Sequence, residues 1–439
     1  MTPSRDRLRR RALGASLAGS TLEWYDYMIF GQAAALVFPQ LFFPHSSPIA
    51  GLLSSFATFA VGFVARPIGA VIAGHFGDRI GRRRVLLATL VTMGVATCAI
   101  GLLPTYAQIG VWAPILLALC RIAQGLALGG EWGGSVLLAI EQLPGGKRKG
   151  LLGSIPQAGD PLGLLLAGGS FTLATTLVHK DAFLAWGWRV PFLLGASILV
   201  VGLWLRLRIT ETPEFVESIK DARPERAPLV SVLRSQPGNF VLSVGCRLGV
   251  DVGFYVFTVF SITYVTTSGV MSSGAVLVAT MVAAGLALVT TPLFGALADR
   301  VGTRRVLVWG LVGLVVSAFA FFPLLDTGSP ALASVAMVLS FSIAGMAIWA
   351  PYAGLVSTVF PPETRYTGTS FSFQFSGIIG GGIAPFIATA LFDRAGSSLP
   401  VTLYVALAAV VSIVCVVAVR THDQLAEQAG RATSLNRQP

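Results

Sequence analysis

The chain has 439 residues, 54% hydrophobic and only 12% charged, where soluble domains carry about 25% charged residues, so a soluble globular protein is excluded. The net charge of +11 does not point to nucleic acid. Apart from Lys180, Arg189 and Arg394 in outer loops, and Arg66, Arg121 and Arg247 inside apolar runs, every Lys and Arg falls in a segment read below as cytoplasmic, which is the positive-inside pattern of a membrane protein.

Residues 1–12 form a basic cytoplasmic segment with Arg5, Arg7, Arg9, Arg10 and Arg11. The apolar run behind it continues to about Gln40, with neither the short core nor the small-residue cleavage site of a signal peptide, so it is retained as a span. Hydropathy marks six spans in residues 13–208, at 13–40, 50–76, 85–103, 112–139, 151–178 and 189–208. A polar, Glu-, Arg- and Pro-rich cytoplasmic linker follows at 209–236, with room for one short surface helix. Six more spans fill 237–419, at 237–266, 271–297, 306–322, 331–358, 367–393 and 400–419. The tail, 420–439, is short, polar and without heptads. An all-α membrane protein of twelve helices in two pseudo-symmetric six-helix bundles is expected, with both termini cytoplasmic.

Two polar loops set this frame. GHFGDRIGRRR (Gly74 to Arg84) and GALADRVGTRR (Gly295 to Arg305) align residue for residue and lie about half the chain apart. Gly74, Asp78, Arg79, Gly81 and Arg83 match Gly295, Asp299, Arg300, Gly302 and Arg304. Any inner loop collects arginine, but only a duplicated half explains the shared Gly-x-x-x-Asp-Arg-x-Gly register. A second echo joins Lys147 and Gly150, before the fifth span, to Arg365 and Gly368, before the eleventh.

Eight ionisable residues lie inside apolar spans: Glu23, Asp26, Arg66, Arg121, Glu131, Asp160, Arg247 and Asp251. Placing a charge in hydrocarbon costs at least ~2.5–3.5 kcal/mol, so each is a functional candidate. At ~1.5 Å per helical residue they gather roughly 13–20 Å from the nearer face, which suggests one site near the midplane. Glu23, Asp26 and Tyr27 share a helix face within the sequence EWYDY, beside Trp24. Buried carboxylates take protons near neutral pH, so Asp26 and Glu23, with Glu131 and Asp160, are the proton-coupling candidates. A static partnership with Arg121 is the alternative, and a pair that opens on protonation unites the two. Arg121 and Gln124 share a face of the fourth span, whose glycines, Gly125 and Gly129 among them, permit close helix contact. Arg247 and Asp251, at i and i+4, form an internal ion pair or meet substrate. Arg66, before Pro67, binds an anion or satisfies carbonyls freed by the proline. Asp160 has three readings: proton site, cation counter-charge or helix-break acceptor. Arg121, Arg66, Arg247, Asp251, Tyr27, Trp24 and Gln124 make up the substrate candidates. No metal-ligand spacing, catalytic constellation or phosphate-binding loop occurs, so neither an enzyme nor a metalloprotein is expected.

The Asp78–Arg79 loop and its echo resemble the signature inner loop of the major facilitator superfamily. EWYDYMIFG (Glu23 to Gly31), ARPIG (Ala65 to Gly69), RIAQGLALGGEWGG (Arg121 to Gly134) and WGWRVPFLLG (Trp186 to Gly195) resemble, more narrowly, its metabolite:proton symporters. Those import shikimate, oxoglutarate, citrate and related acids, or proline and betaine. The resemblance implies a rocker-switch transporter of the bacterial inner membrane, a monomer whose partners are a small organic anion and a proton, with no other cofactor. It implies a cytoplasmic gate made by Gly74, Asp78, Arg79, Gly81, Arg83, Asp299, Arg300, Gly302 and Arg304. A proline/betaine symporter and a drug or cation exporter on the same fold are the alternatives.

Overall fold

A computed structural model describes residues 5–80, 82–129, 149–207, 228–361, 364–422 and 424. The first six spans are α1 (Arg5–Leu36), α2 (Pro48–Ile80), α3 (Arg82–Leu102), α4 (Trp112–Leu128), α5 in two pieces (Lys149–Gln157 and Gly159–Leu177) and α6 (Arg189–Leu207). The second six are α7 (Pro237–Ser268), α8 (Ser273–Val301), α9 (Thr303–Asp326), α10 (Pro330–Val356), α11 (Arg365–Ala395) and α12 (Leu399–Ala418). The first helix begins earlier than hydropathy places it, because the basic segment from Arg5 joins it. It also ends earlier: Pro39 cannot donate to the ladder, and the chain restarts as the short helix Phe38–Leu41. The fourth span's expected inner part, from 130 onward, lies outside the described residues, as do 208–227 and 425–439. Within the expected linker a short helix runs over Pro228–Ser235.

Among the described residues, seven helices, α2 and α7 to α12, are long and apolar enough to cross a bilayer, and their surfaces show which side meets lipid. On α12, Leu399, Leu403, Leu407, Val410, Val414 and Val417 are exposed at alternating four- and three-residue steps, while Val401, Val405, Ala409 and Val416 are buried. Such a continuous apolar stripe is tolerated where its solvent is hydrocarbon. α7 is the opposite case, with 94% of its most apolar window buried inside the protein, and is the central helix of its half.

The halves repeat each other's packing. In the first, α1 packs on α5, α2 on α4, and α3 on α4 and α6. In the second, α7 packs on α11, α8 on α10, and α9 on α10 and α12, which is the same set shifted by six helices. The contacts between halves obey that symmetry: α5 meets α8, and α11 meets α2. Gly125 and Gly129 bring α4 against the α2 backbone, where a Cβ would collide. The first half has a π-helical stretch at Phe183–Gly187, between α5 and α6, whereas in the second half such stretches lie inside the spans. α7, α10 and α11 each contain a π-helical stretch, at Val256–Phe260, Val338–Gly345 and Gly377–Gly382. π-Bulges widen a helix and recur at functional sites.

Candidate functional site

The single midplane cluster expected from the sequence separates into two, because aromatic rings stand between its members. Phe59 and Phe63 of α2 meet Tyr255 of α7 edge to face, with centroids 5.5 and 5.6 Å apart, and Phe63 also stacks edge-on against Tyr27. Each cluster is almost completely buried.

The first cluster belongs to α1 through α4. Glu23 lies 3.4 Å from the Arg66 guanidinium, whose Nε donates to the Tyr27 hydroxyl. Arg66 therefore has a carboxylate partner, Glu23, beyond the two roles expected of it. Asp26 faces the other way, towards α3 and α4. It accepts from Thr97 Oγ1, and from Gln124 Nε2 at 2.7 Å. Gln124 Oε1 in turn accepts from Arg121 Nη1 at 3.2 Å, so Arg121 reaches the α1 carboxylate through an amide and not by a direct ion pair. The Arg121 guanidinium lies over Tyr27, Phe30 and Phe59, at 4.2, 4.4 and 5.0 Å from their centroids. Its Nε and Nη2 are buried without a hydrogen-bond partner. A fully buried guanidinium with two uncommitted nitrogens is suited to an incoming carboxylate.

The second cluster is built by α7, α10 and α11. Arg247 and Asp251 form the ion pair that their spacing allowed, at 2.8 Å. Ser376 donates to the second Asp251 oxygen, and Arg247 donates to the Phe373 carbonyl at 2.7 Å while its guanidinium covers that ring. Trp24 projects from α1 to this side and meets Phe254 and Trp349 edge-on. A small cavity lies here, lined among others by Trp24, Asp160, Asp251, Ser340, Phe341 and Trp349. It has room for about one water molecule, about 10 Å³. Of the substrate candidates, only Trp24 and Asp251 line it; Arg66, Arg121, Tyr27, Gln124 and Arg247 do not. Thr97, Ser340, Ser376 and Trp349 were not singled out from the sequence, since each is uncharged and reaches the site from a distant span. Glu131 lies outside the described residues.

The halves touch at both ends of the molecule. At one end Asp299 accepts from the backbone amides of Gly150 (2.7 Å) and Leu151 (2.9 Å), which begin α5. These amides belong to the first turn, have no intrahelical acceptor, and favour a negative charge. Gly295 makes the approach possible: a Cβ there would fall 2.6 Å from Ser154 Oγ. Gly302, with φ of 101°, takes the left-handed conformation that turns the chain from α8 into α9. Arg300 is exposed in the last turn of α8, and Arg304 points within its own half, donating to the Val419 carbonyl and to Gln424 in the tail. In the first copy of the loop, Gly81 and the side chains at Gly74, Asp78, Arg79 and Arg83 lie outside the described residues. Trp349 and Gln157 exchange hydrogen bonds across the same interface, each through the other's carbonyl. At the opposite end Thr172 of α5 meets Met281 of α8, and Gly31 of α1 packs on Val259 of α7.

The Major Facilitator Superfamily model matches residues 12–385. The inner membrane metabolite transport protein YhjE of Escherichia coli (strain K12) is 42% identical over 421 residues, 94% of each chain. The shikimate transporter of the same organism is 40% identical over 392 residues, 89% of each. Among solved structures, the partially occluded inward-open xylose transporter XylE from E. coli superposes with a TM-score of 0.72 at 16% identity, covering 95% of this chain and 99% of that one.

Proposed function

Since the chain belongs to the Major Facilitator Superfamily and is a membrane transporter, not an enzyme, we propose that it imports a small organic carboxylate together with a proton. The observation that carries this reading is the Arg121–Gln124–Asp26 chain, in which a buried cation with two open donors sits one amide away from a buried carboxylate. With Asp26 ionised, Gln124 is held by both neighbours and the site is electrically neutral. Protonating Asp26 leaves the Arg121 charge uncompensated in a medium where bare charge is costly, and a substrate carboxylate restores neutrality. Proton and anion therefore stabilise each other's binding, and neither loads efficiently alone. Glu23, paired with Arg66, supports the same exchange from the neighbouring face, and the names of the two relatives agree with metabolite transport. The Asp299 end faces the cytoplasm in this reading, with both termini on that side.

The test is reconstitution of the full chain in liposomes with a pH dye inside. Shikimate, oxoglutarate, citrate, succinate, an aromatic acid and betaine are added outside in turn. Acidification of the lumen tied to one or more of the acids is expected. Movement of protons with betaine alone, or with an amphipathic cation, overturns the carboxylate reading.

A further inference from the structure

Three residues around the small cavity share one property. Trp24 Nε1, Asp160 Oδ1 and Ser340 Oγ are buried, and none has a hydrogen-bond partner. Buried polar groups are nearly always paired, so three orphans around one cavity point to a group that visits it. Ser340 is the sharpest case. Buried hydroxyls such as Ser55, Thr258, Ser261 and Thr280 bond back to a carbonyl four residues earlier, while Ser243, Thr263, Thr369 and Ser370 also lack a partner but do not line the cavity. Ser340 lies in the π-helical stretch of α10 and makes no such bond.

Resting on the carboxylate reading above, we infer that Trp24, Asp160 and Ser340 form a subsite that reads a hydroxyl group on the transported acid. The donor and acceptor pattern selects this group. An indole N–H only donates, an ionised carboxylate only accepts, and a serine hydroxyl does both. A hydroxyl accepts from Trp24 while donating to Asp160, with Ser340 completing either bond. An ammonium group cannot accept from Trp24. A carboxylate cannot donate to Asp160 Oδ1. A methylene leaves all three atoms unpaired. The size agrees, since space for about one water suits a hydroxyl and is too small for a carboxylate or trimethylammonium group. The walls are aromatic, from Trp24, Phe254, Phe341 and Trp349, so the orphaned atoms are the polar features left for a ligand beside the already paired Asp251. Arg121 takes the acid's carboxylate in this reading, and the hydroxyl is taken between the halves, by Trp24 and Asp160 from the first and Ser340 from the second.

The experiment uses the reconstituted full chain and pairs of acids that differ by one hydroxyl: malate and succinate, citrate and tricarballylate, shikimate and its dehydroxylated ring acids. In the pair that fits best, the hydroxylated acid is expected to be favoured at least tenfold in kcat/KM, because a site built to bond a hydroxyl rejects its absence strongly. Ser340→Ala, which keeps volume, and Trp24→Phe, which keeps an aromatic ring in the wall, should each lower that ratio severalfold, with the hydroxylated acid losing more than its partner. Asp160→Asn should do the same. Acids carried with ratios near one, or a preference that survives both Ser340→Ala and Trp24→Phe, would overturn the subsite and leave the three atoms to a resident water. If the wild-type chain carries none of the acids, the carboxylate reading itself fails, and the subsite with it.

Discussion

At Asp26 a proton and an anion act on the same few atoms. The carboxylate accepts from Thr97 and Gln124, and Gln124 links it to Arg121. Asp26→Asn keeps the shape and removes the titration, so gradient-driven accumulation should fall at least tenfold while substrate exchange between equal pH values stays measurable. Parallel uptake and counterflow assays separate the two, and full accumulation by the variant would remove Asp26 from the coupling. Arg121→Lys keeps the charge but loses the planar fork whose Nε and Nη2 are uncommitted. Substrate affinity should fall at least tenfold, read as a rise in KM or as weaker competition. The intramembrane charges were legible in the sequence because charge in hydrocarbon is conspicuous, and the Arg247–Asp251 pair followed from helical spacing. Thr97, Ser340 and Trp349 were not, since nothing in an uncharged residue marks it when its partner lies on another span.

The contact of α5 with α8 is where the duplicated loop acts. Asp299 caps the first turn of α5, and Gly295 lets the two helices approach closely enough for it to do so. Asp299→Ala removes a cap worth about 1 kcal/mol, so the closed-to-open ratio at this end should fall about fivefold. The check is alkylation by a membrane-impermeant maleimide at Ser154→Cys, in a chain lacking Cys98, Cys120, Cys246 and Cys415, which should quicken about fivefold. Gly295→Val places a branched side chain where Ser154 now sits. Transport should be lost with expression retained, as measured by uptake against membrane yield. The glycines and the aspartate of this loop were visible as a repeat. That Arg304 instead ties the end of α12 and Gln424 was not, because the repeat gives register and not direction.

For the whole molecule, the two ends cannot both remain as they are through a transport cycle. α5 and α8 touch at Ser154–Gly295 near one end and at Thr172–Met281 near the other. A cysteine pair at either position, in the same cysteine-free chain, should cross-link and stop uptake until reductant is added. Uptake that continues with either bridge fully formed would rule out rocking of the halves about the site. The sequence by itself determined the membrane class, the span count and the duplicated frame, because hydropathy, charge asymmetry and a repeated motif are additive along a chain. Only the tertiary structure decided that the buried charges form two clusters and not one. It also decided that Arg66 is neutralised by Glu23 while Arg121 keeps open donors, and that three unpaired polar atoms converge on one small cavity. Those outcomes depend on which faces of helices far apart in sequence turn towards each other, and helical periodicity fixes a residue's face but not its neighbour.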